Sequence, residues 1–376
     1  MSIVNLAIVG ATSIVAEALL EQMEAMSFPV GKLFLLDDDL PAVTVVADEH
    51  ERAVKDSGLI NDEDDDEEDQ AELQGDLNKQ VSRLYGNRSI ALQEAKLFDY
   101  KQVELVLFIG SIEQTQREFK RVTAAKCLIV DGSGAFRLNR DVPLIVAGVN
   151  DAQIPKGSKT LASPSPLVVQ LAQTLEPLRQ FGLQRLDITA LISVSEYGKP
   201  GIDELAGQNI RLLNGLPVDP VLFPERIAYN VIPQVGTMVG DSGYTSAELA
   251  LVAELRQLLQ MPELAVAAGC VQVPVFYGHT ASVSVKLAQP QSLDVLRKLF
   301  NSQTAVELLD KTAKAKTPAR LPTPFYLAEQ DPVVYLGRLR IDLADPSICH
   351  FAVVADNVRN GAAVNILQLA LSLLKP

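Results

Sequence analysis

The stretch IVNLAIVGATSIVAEALLEQMEAM, residues 3–26, decides the fold. It opens with an almost continuous apolar run that stops at Gly10, and from Ile14 onward apolar residues recur at helical spacing. That order is strand, tight turn, helix. A second strand-like run, KLFLLD at 32–37, follows at the distance of a βαβ unit. Further runs, VELVLFIG (103–110) and KCLIVDGS (126–133), flank the helix-patterned EQTQREFKRVTAA. This alternation predicts a doubly wound, Rossmann-like α/β domain over residues 1–150.

From about residue 151 the texture changes. QRLDITALISVS (184–195), AAGCVQVPVFYGHTASVSVKLA (267–288), DPVVYLGRLRID (331–342) and CHFAVVADN (349–357) read as strands, with helical patterns at 166–180 and 245–259. They predict an α+β domain at 151–356, a mixed sheet covered by helices. The apolar-faced helix at 357–376 is expected to return to the first domain. Eight consecutive acids, Asp62 to Asp69, interrupt the first domain. Such a run repels itself and lacks the glycine and spacing of a calcium loop, so it reads as a solvated insert.

Composition narrows the function. A chain of 376 residues with a net charge of −14 has no basic footprint for a phosphate backbone, so nucleic acid is excluded as a partner. Cys127, Cys270 and Cys349 are far apart, which suggests neither a disulfide framework nor a metal cluster and fits a reducing cytoplasm. No basic leader and no apolar stretch of spanning length is evident, so no membrane partner is expected.

The turn after the first strand is the setting for a dinucleotide, where backbone amides and a helix N-terminus hold pyrophosphate. Gly10, Ala11, Thr12, Ser13 and Ile14 are the candidates. In a G-x-x-G-x-x-G frame only Gly10 remains glycine, with Ser13 and Ala16 at the other two positions, so weakened binding is expected. Asp37, Asp38 and Asp39 close the second strand, which suits the ribose of NAD or no cofactor better than the 2′-phosphate of NADP.

Several segments together, AIVGATSIVAEALLEQMEAMSFPVGKLFLL, VDGSGAFRLNRDVPLIVAGVN, CVQVPVFYGHTASVSVKL, YLGRLRID and VVADNVRNGAAVNILQLA, resemble in order the motifs of aspartate-semialdehyde dehydrogenases. The resemblance spans nearly the whole chain apart from the acidic insert. It implies a nucleotide domain, a catalytic and dimerisation domain, a homodimer, and NADP-linked reduction of an acyl phosphate through a cysteine thioester. It also implies that His279, in GHTASV, descends from the catalytic base, that Arg137, in SGAFRLNRD, belongs to the phosphate site, and that Asn357, in DNVRNGAA, lies by the nicotinamide.

The same resemblance exposes departures. LASPSPLVVQ (161–170) puts Pro166 on the nucleophilic cysteine and Ser165 on the asparagine before it. Proline has no atom that attacks an acyl group. Ile192 stands on the acyl-orienting glutamine, Gln272 on the arginine that forks onto the substrate carboxylate, and Ala247 and Ala250 on a glutamate and lysine that meet amine and phosphate. The chain looks most like the Usg-type branch of the family, which lacks that cysteine. The expectation is a dimeric binding or regulatory protein without thioester chemistry, with a heterodimer with an active dehydrogenase as a further option. The rival is an NAD(P)-dependent oxidoreductase of the same class acting on an aldehyde or acyl substrate. Plainer readings stand beside these: His279 as a hydrogen-bonded sheet-edge residue, Arg137 paired with an acid, Ser165 as a helix cap, and Cys270 as core.

Overall fold

The computed structural model describes residues 3–38, 81–310, 320–329 and 332–375. The acidic run and Asp39 lie outside the described residues.

Strand β1 (Val4–Val9) is buried along almost its whole length, as a strand covered on both faces must be. Helix α1 (Ile14–Ala25) starts at Ser13, whose hydroxyl accepts from the amide of Ala16, with Glu17 in the first turn favouring the positive end of the helix dipole. Strand β2 (Val30–Asp37) pairs parallel with one edge of β1, and β5 (Leu105–Phe108) pairs parallel with the other. With β3 (Ser82–Tyr85), β4 (Arg88–Glu94), β6 (Leu128–Asp131) and β7 (Thr160–Ala162), the sheet runs β3-β4-β2-β1-β5-β6-β7. Only β3 is antiparallel to its neighbour. Helix α2 (Ile112–Ala124) connects β5 to β6. Strand order therefore reverses at β1, and a crevice opens beyond the carboxyl ends of β1 and β5, where an open α/β sheet takes its ligand. Strand β7 lies beyond residue 150 and still joins this sheet.

The second sheet contains β8 (Leu183–Ile192), β9 (Ala265–Gln272), β10 (His279–Leu287), β11 (Val306–Leu308), β12 (Val334–Ile341) and β13 (Ile348–Ala355). Its order is β11-β12-β13-β10-β8-β9. The sheet is mixed: β10 runs antiparallel to both neighbours, while β8 and β9 are parallel. Helices α3 (Pro166–Leu175), α5 (Ser246–Leu258) and α6 (Leu293–Asn301) pack on it, and α4 (Gly198–Leu213) follows a single turn at Val194–Tyr197. Leu171, Leu186, Leu255, Val283 and Phe351 are at the centre of this core. A wide turn at Arg359–Val364 leads into helix α7 (Asn365–Leu373), which lies against β6, while the turn itself contacts α1. Asn365 ties this return to the sheets, accepting from the Ala147 amide at 2.9 Å and donating to Ser163 Oγ at 2.8 Å.

Candidate functional site

The nucleotide turn is built around two glycines. Gly10 has a φ of +96°, and a Cβ there would come within 2.2 Å of the Gly110 nitrogen. A Cβ at Gly110 would strike Gln114 Oε1, so the two glycines let the ends of β1 and β5 and the start of α2 pack closely beneath the turn. Most of the turn's amides are already spent: Gly10 and Ala11 donate to Leu36 O, Thr12 to Asp37 Oδ2 and Ser13 to Gly10 O. The amides of Ile14 and Val15, in the first turn of α1, have no carbonyl four residues back within the helix and remain to meet a phosphate. The turn fits a dinucleotide, whose pyrophosphate the first-turn amides of Ile14 and Val15 would meet.

The aspartates at the end of β2 need a correction. Asp37 is buried, and its carboxylate accepts from Thr12 N (2.9 Å), Thr12 Oγ1 (2.6 Å), Asp38 N (2.9 Å) and Gln114 Nε2 (3.0 Å). With its acceptor sites saturated it pins the turn and has nothing left for a ribose. Asp38 pairs with Arg117. A cation that the sequence reading missed stands over the same turn: Arg83, on β3, donates to Ala11 O (3.4 Å) and Thr12 O (3.0 Å) and pairs with Glu17. It lies 73 residues after Gly10 in sequence, and no spacing rule links the two.

The family-derived residues converge at the opposite rim. A cavity of about 220 Å³ is bounded by Val15 and Gly110 on one side and by Arg137, Pro166, Glu196 and Asn357 on the other. A second, of about 110 Å³, shares Arg137 and Glu196 with it and reaches down to Ser165, Ile192, Ala250 and Glu254. The first turn of α1, through Val15, and the family-derived residues thus border adjoining cavities, with Arg137 and Glu196 lining both.

His279 opens β10, an interior strand, and is 1% exposed, so it is not a sheet-edge residue. The Ser193 amide points at its Nδ1 from 3.3 Å, which makes Nδ1 an acceptor and leaves Nε2–H to donate to Glu196 Oε2 at 2.9 Å. Ser193 Oγ is also 3.0 Å from Nδ1. Asn357 braces this corner: its Oδ1 accepts from Gly278 N at 3.0 Å and from Ser195 Oγ at 3.1 Å. It lines the larger cavity while its carbonyl serves the protein.

Arg137 is steadied by two carbonyls, Ser163 O at 3.3 Å and Gly132 O at 3.4 Å, and makes no ion pair with a described carboxylate. Its guanidinium acts on two acids that the sequence reading overlooked. Burial alone would raise Glu196, but the hydrogen bond from His279 and the positive charge of Arg137 win, and its carboxyl is held below the usual range. For Glu254, 1% exposed, burial wins over Arg137 and Ser165, and the carboxyl is pushed up. Two carboxyls on one recess are driven in opposite directions.

Ser165 is also corrected. It sits at the N-terminus of α3, but its hydroxyl makes no cap bond. Its amide and Oγ instead donate to Glu254 Oε2, at 2.7 and 3.1 Å. A buried carboxyl from α5 out-competes the helix amides, one of which Pro166 has removed. Ser165 does not touch His279, so it has no base to activate it. Pro166 packs against Gly361, where a Cβ would meet the proline Cβ at 2.6 Å. Ile192, Ala247 and Ala250 line the smaller cavity with hydrocarbon, and Gln272 turns its Nε2 to Ile192 O at 2.8 Å. Cys270 lies in the core and also borders this cavity, and burial, with the charges of Glu248 and Glu196, pushes its thiol up to about 12. Among the described residues no cluster of His, Cys, Asp and Glu is arranged to hold a metal, and no helix is long and apolar enough to cross a membrane.

Comparison with known proteins agrees with this geometry. Residues 5–156 match the semialdehyde dehydrogenase NAD binding domain, and residues 175–360 match the semialdehyde dehydrogenase dimerisation domain. A USG-1 protein homolog from Azotobacter vinelandii is 33% identical over 99% of this chain and 98% of its own length. Aspartate-semialdehyde dehydrogenase 2 from Vibrio cholerae is 31% identical over 97% of this chain and 96% of its own. The crystal structure of the Vibrio cholerae aspartate semialdehyde dehydrogenase II complexed with ASA superimposes with a TM-score of 0.84 at 31% identity, covering 100% of this chain and 99% of that one.

Proposed function

Because the chain belongs to the aspartate-semialdehyde dehydrogenase family, which includes a USG-1 branch, we propose that it is an NAD(P)-dependent oxidoreductase of that class working without a thioester. Position 166 carries this reading. The proline lines the recess at the start of α3, where family resemblance expects a thiolate, and Arg137, Ser195, Glu196 and Asn357 line the same recess around it. A bound dinucleotide would supply or accept hydride. Ile14 and Val15 would hold its pyrophosphate, with Arg83 as the nearest cation, and its nicotinamide end would reach the cavity between Gly110 and Asn357. On this reading the weakened fingerprint lowers affinity for either dinucleotide, and no metal takes part. Arg137 orients a carbonyl oxygen, and the His279–Glu196 pair fixes the opposite wall. We assign residues 1–150 to nucleotide binding, 151–356 to catalysis and dimerisation, and 357–376 to a helix that returns to the first domain.

The homodimer belongs to the same proposal. Ile210, Leu213, Leu222, Tyr229 and Val231 are exposed apolar residues within the matched dimerisation segment, and a second copy would cover such a patch. A second reading, a dimeric binding or regulatory protein able to pair with an active dehydrogenase, draws on the hydrocarbon at Ile192, Ala247 and Ala250. Co-expression followed by sizing separates the two, since mixed dimers are required by the regulatory reading alone.

The test of the main reading uses purified protein with aspartate semialdehyde, phosphate and NADP. No acyl phosphate forms, and intact mass shows no covalent adduct. Pro166→Cys alone restores neither, because the amide, the carboxylate fork and the amine-binding pair are still missing. An acyl adduct on the unsubstituted protein, or substantial rescue by that single change, would overturn the reading.

A further inference from the structure

The smaller cavity has two unlike ends. One wall is hydrocarbon from Leu167, Ile192, Val235, Ala247, Ala250 and Leu251. Among the described residues of that wall none is a cation, and Gln272 donates its Nε2 to the Ile192 carbonyl. A carboxylate or ammonium pushed against it would lose its hydration without gaining a partner, a cost of several kcal/mol. The other end holds Arg137, Glu196, Ser165, Glu254 and His279. At about 110 Å³ the space admits roughly four water-sized groups. Where two titrating groups border one pocket and are pushed apart, the one pushed up is the better proton donor and the one pushed down the better charged partner. Here these are Glu254 and Glu196.

Building on the thioester-free oxidoreductase reading above, we propose that this cavity takes a short, uncharged aliphatic aldehyde. Its tail lies against Ile192, Ala247 and Ala250, and its oxygen lies at the Arg137–Glu254 end. The carbonyl carbon gains a hydride from a reduced nicotinamide dinucleotide, the electron pair of the broken C–O π bond moves to oxygen, and that oxygen takes the proton of Glu254, which solvent replaces. Aldehyde, reduced dinucleotide and one proton become primary alcohol and oxidised dinucleotide. Glu254 is catalytic on this assignment, and Ser165 is a positioning residue that holds its carboxyl.

The test has a binding arm and a turnover arm, both on the full chain. In the first, without dinucleotide, isobutyramide serves as an unreactive aldehyde analogue and L-aspartate as the charged competitor, each titrated by calorimetry. Isobutyramide binds with a Kd of about millimolar, as expected of a ligand of its size. Aspartate binds at least tenfold more weakly, and Ala250→Lys weakens isobutyramide at least tenfold, with an unchanged Tm showing that the variant folds. Aspartate binding as tightly as isobutyramide overturns the proposal. In the second arm, isobutyraldehyde and aspartate semialdehyde are each offered with NADH and NADPH. Oxidation of either dinucleotide by isobutyraldehyde, lost in Glu254→Gln with isobutyramide binding retained, supports the proposal. Turnover of aspartate semialdehyde alone overturns the proposal and leaves the oxidoreductase reading standing. Isobutyramide binding with no turnover of either aldehyde overturns the oxidoreductase reading and the reduction step, while the ligand class survives.

Discussion

Alkylating the native protein at pH 8 tests whether a thiol elsewhere does the work that position 166 is unable to do. Cys270 is the one to watch, because it is the thiol that borders the recess, on β9 behind Ala247. Burial pushes Cys270 and Cys349 up to about 12. At pH 8 a thiol at about 12 is ionised in roughly one molecule in ten thousand, against about a quarter for an ordinary thiol near 8.5. Iodoacetamide reacts with the thiolate, so the native rate should be about 2,000-fold below that of a free thiol before any steric barrier is counted. Cys127 is raised in the same direction by burial, and its Sγ contacts Tyr100 O and Val103 O. Intact mass over several hours should show no label on the folded protein and three labels after unfolding in urea. Alkylation of Cys270 within tenfold of the free-thiol rate would refute the reasoning. It would mean that the cavity stabilises a thiolate and that a displaced nucleophile exists.

Glu254→Gln should stabilise the fold with a defined pH dependence. Below about pH 4 both folded and unfolded chains carry the proton and the variants match; as pH rises the unfolded chain ionises first, near about 4.3, so the native protein loses stability relative to the glutamine variant until the raised folded value is passed. Melting curves from pH 4 to 8 check this, and a gap that shrinks as pH rises would contradict it. Glu254→Ala instead strands the Ser165 amide and should cost about 1–3 kcal/mol in urea unfolding. Arg83→Ala removes the donor to Ala11 O and Thr12 O, so calorimetric Kd for NADP should rise about tenfold, matching one charge-assisted contact of about 1.5 kcal/mol, with a smaller rise for NAD. Gly10→Ala forces a side chain into a φ of +96° against Gly110, and both a lowered Tm and lost dinucleotide binding should follow.

The first sheet was legible because burial writes itself directly into parallel strands. β1, β5 and β6 are almost uninterrupted apolar runs, and each ends within two residues of a glycine, Gly10, Gly110 and Gly132. The mixed sheet was legible as strands, but its order was not, since alternation along β10 says which face is buried and nothing about which neighbour lies on each edge. His279, Arg137 and Asn357 were found through motif resemblance, and all three border the recess. Asp37 misled because an acid closing the second strand suits a ribose equally well as a turn clamp. The choice is made by Thr12 and Gln114, the latter 77 residues further on.

The acids of the recess were hidden for different reasons. Glu196 sits in SVSEYG, where no periodicity applies, and its meaning comes entirely from a histidine 83 residues away. Glu254 did leave a trace. It lies on α5 with Leu251, Leu255 and Leu258, all buried, so a carboxyl stands on the apolar stripe of an amphipathic helix. A charge at such a position must find donors or stay protonated. Ser165 supplies two donors, and burial pushes the carboxyl's pKa up as well. The same carboxyl therefore fastens the start of α3, next to Pro166, and borders the recess with its pKa raised by burial. Position 166 and position 254 belong to one site: the helix start that carries a proline is held by a buried carboxyl from α5.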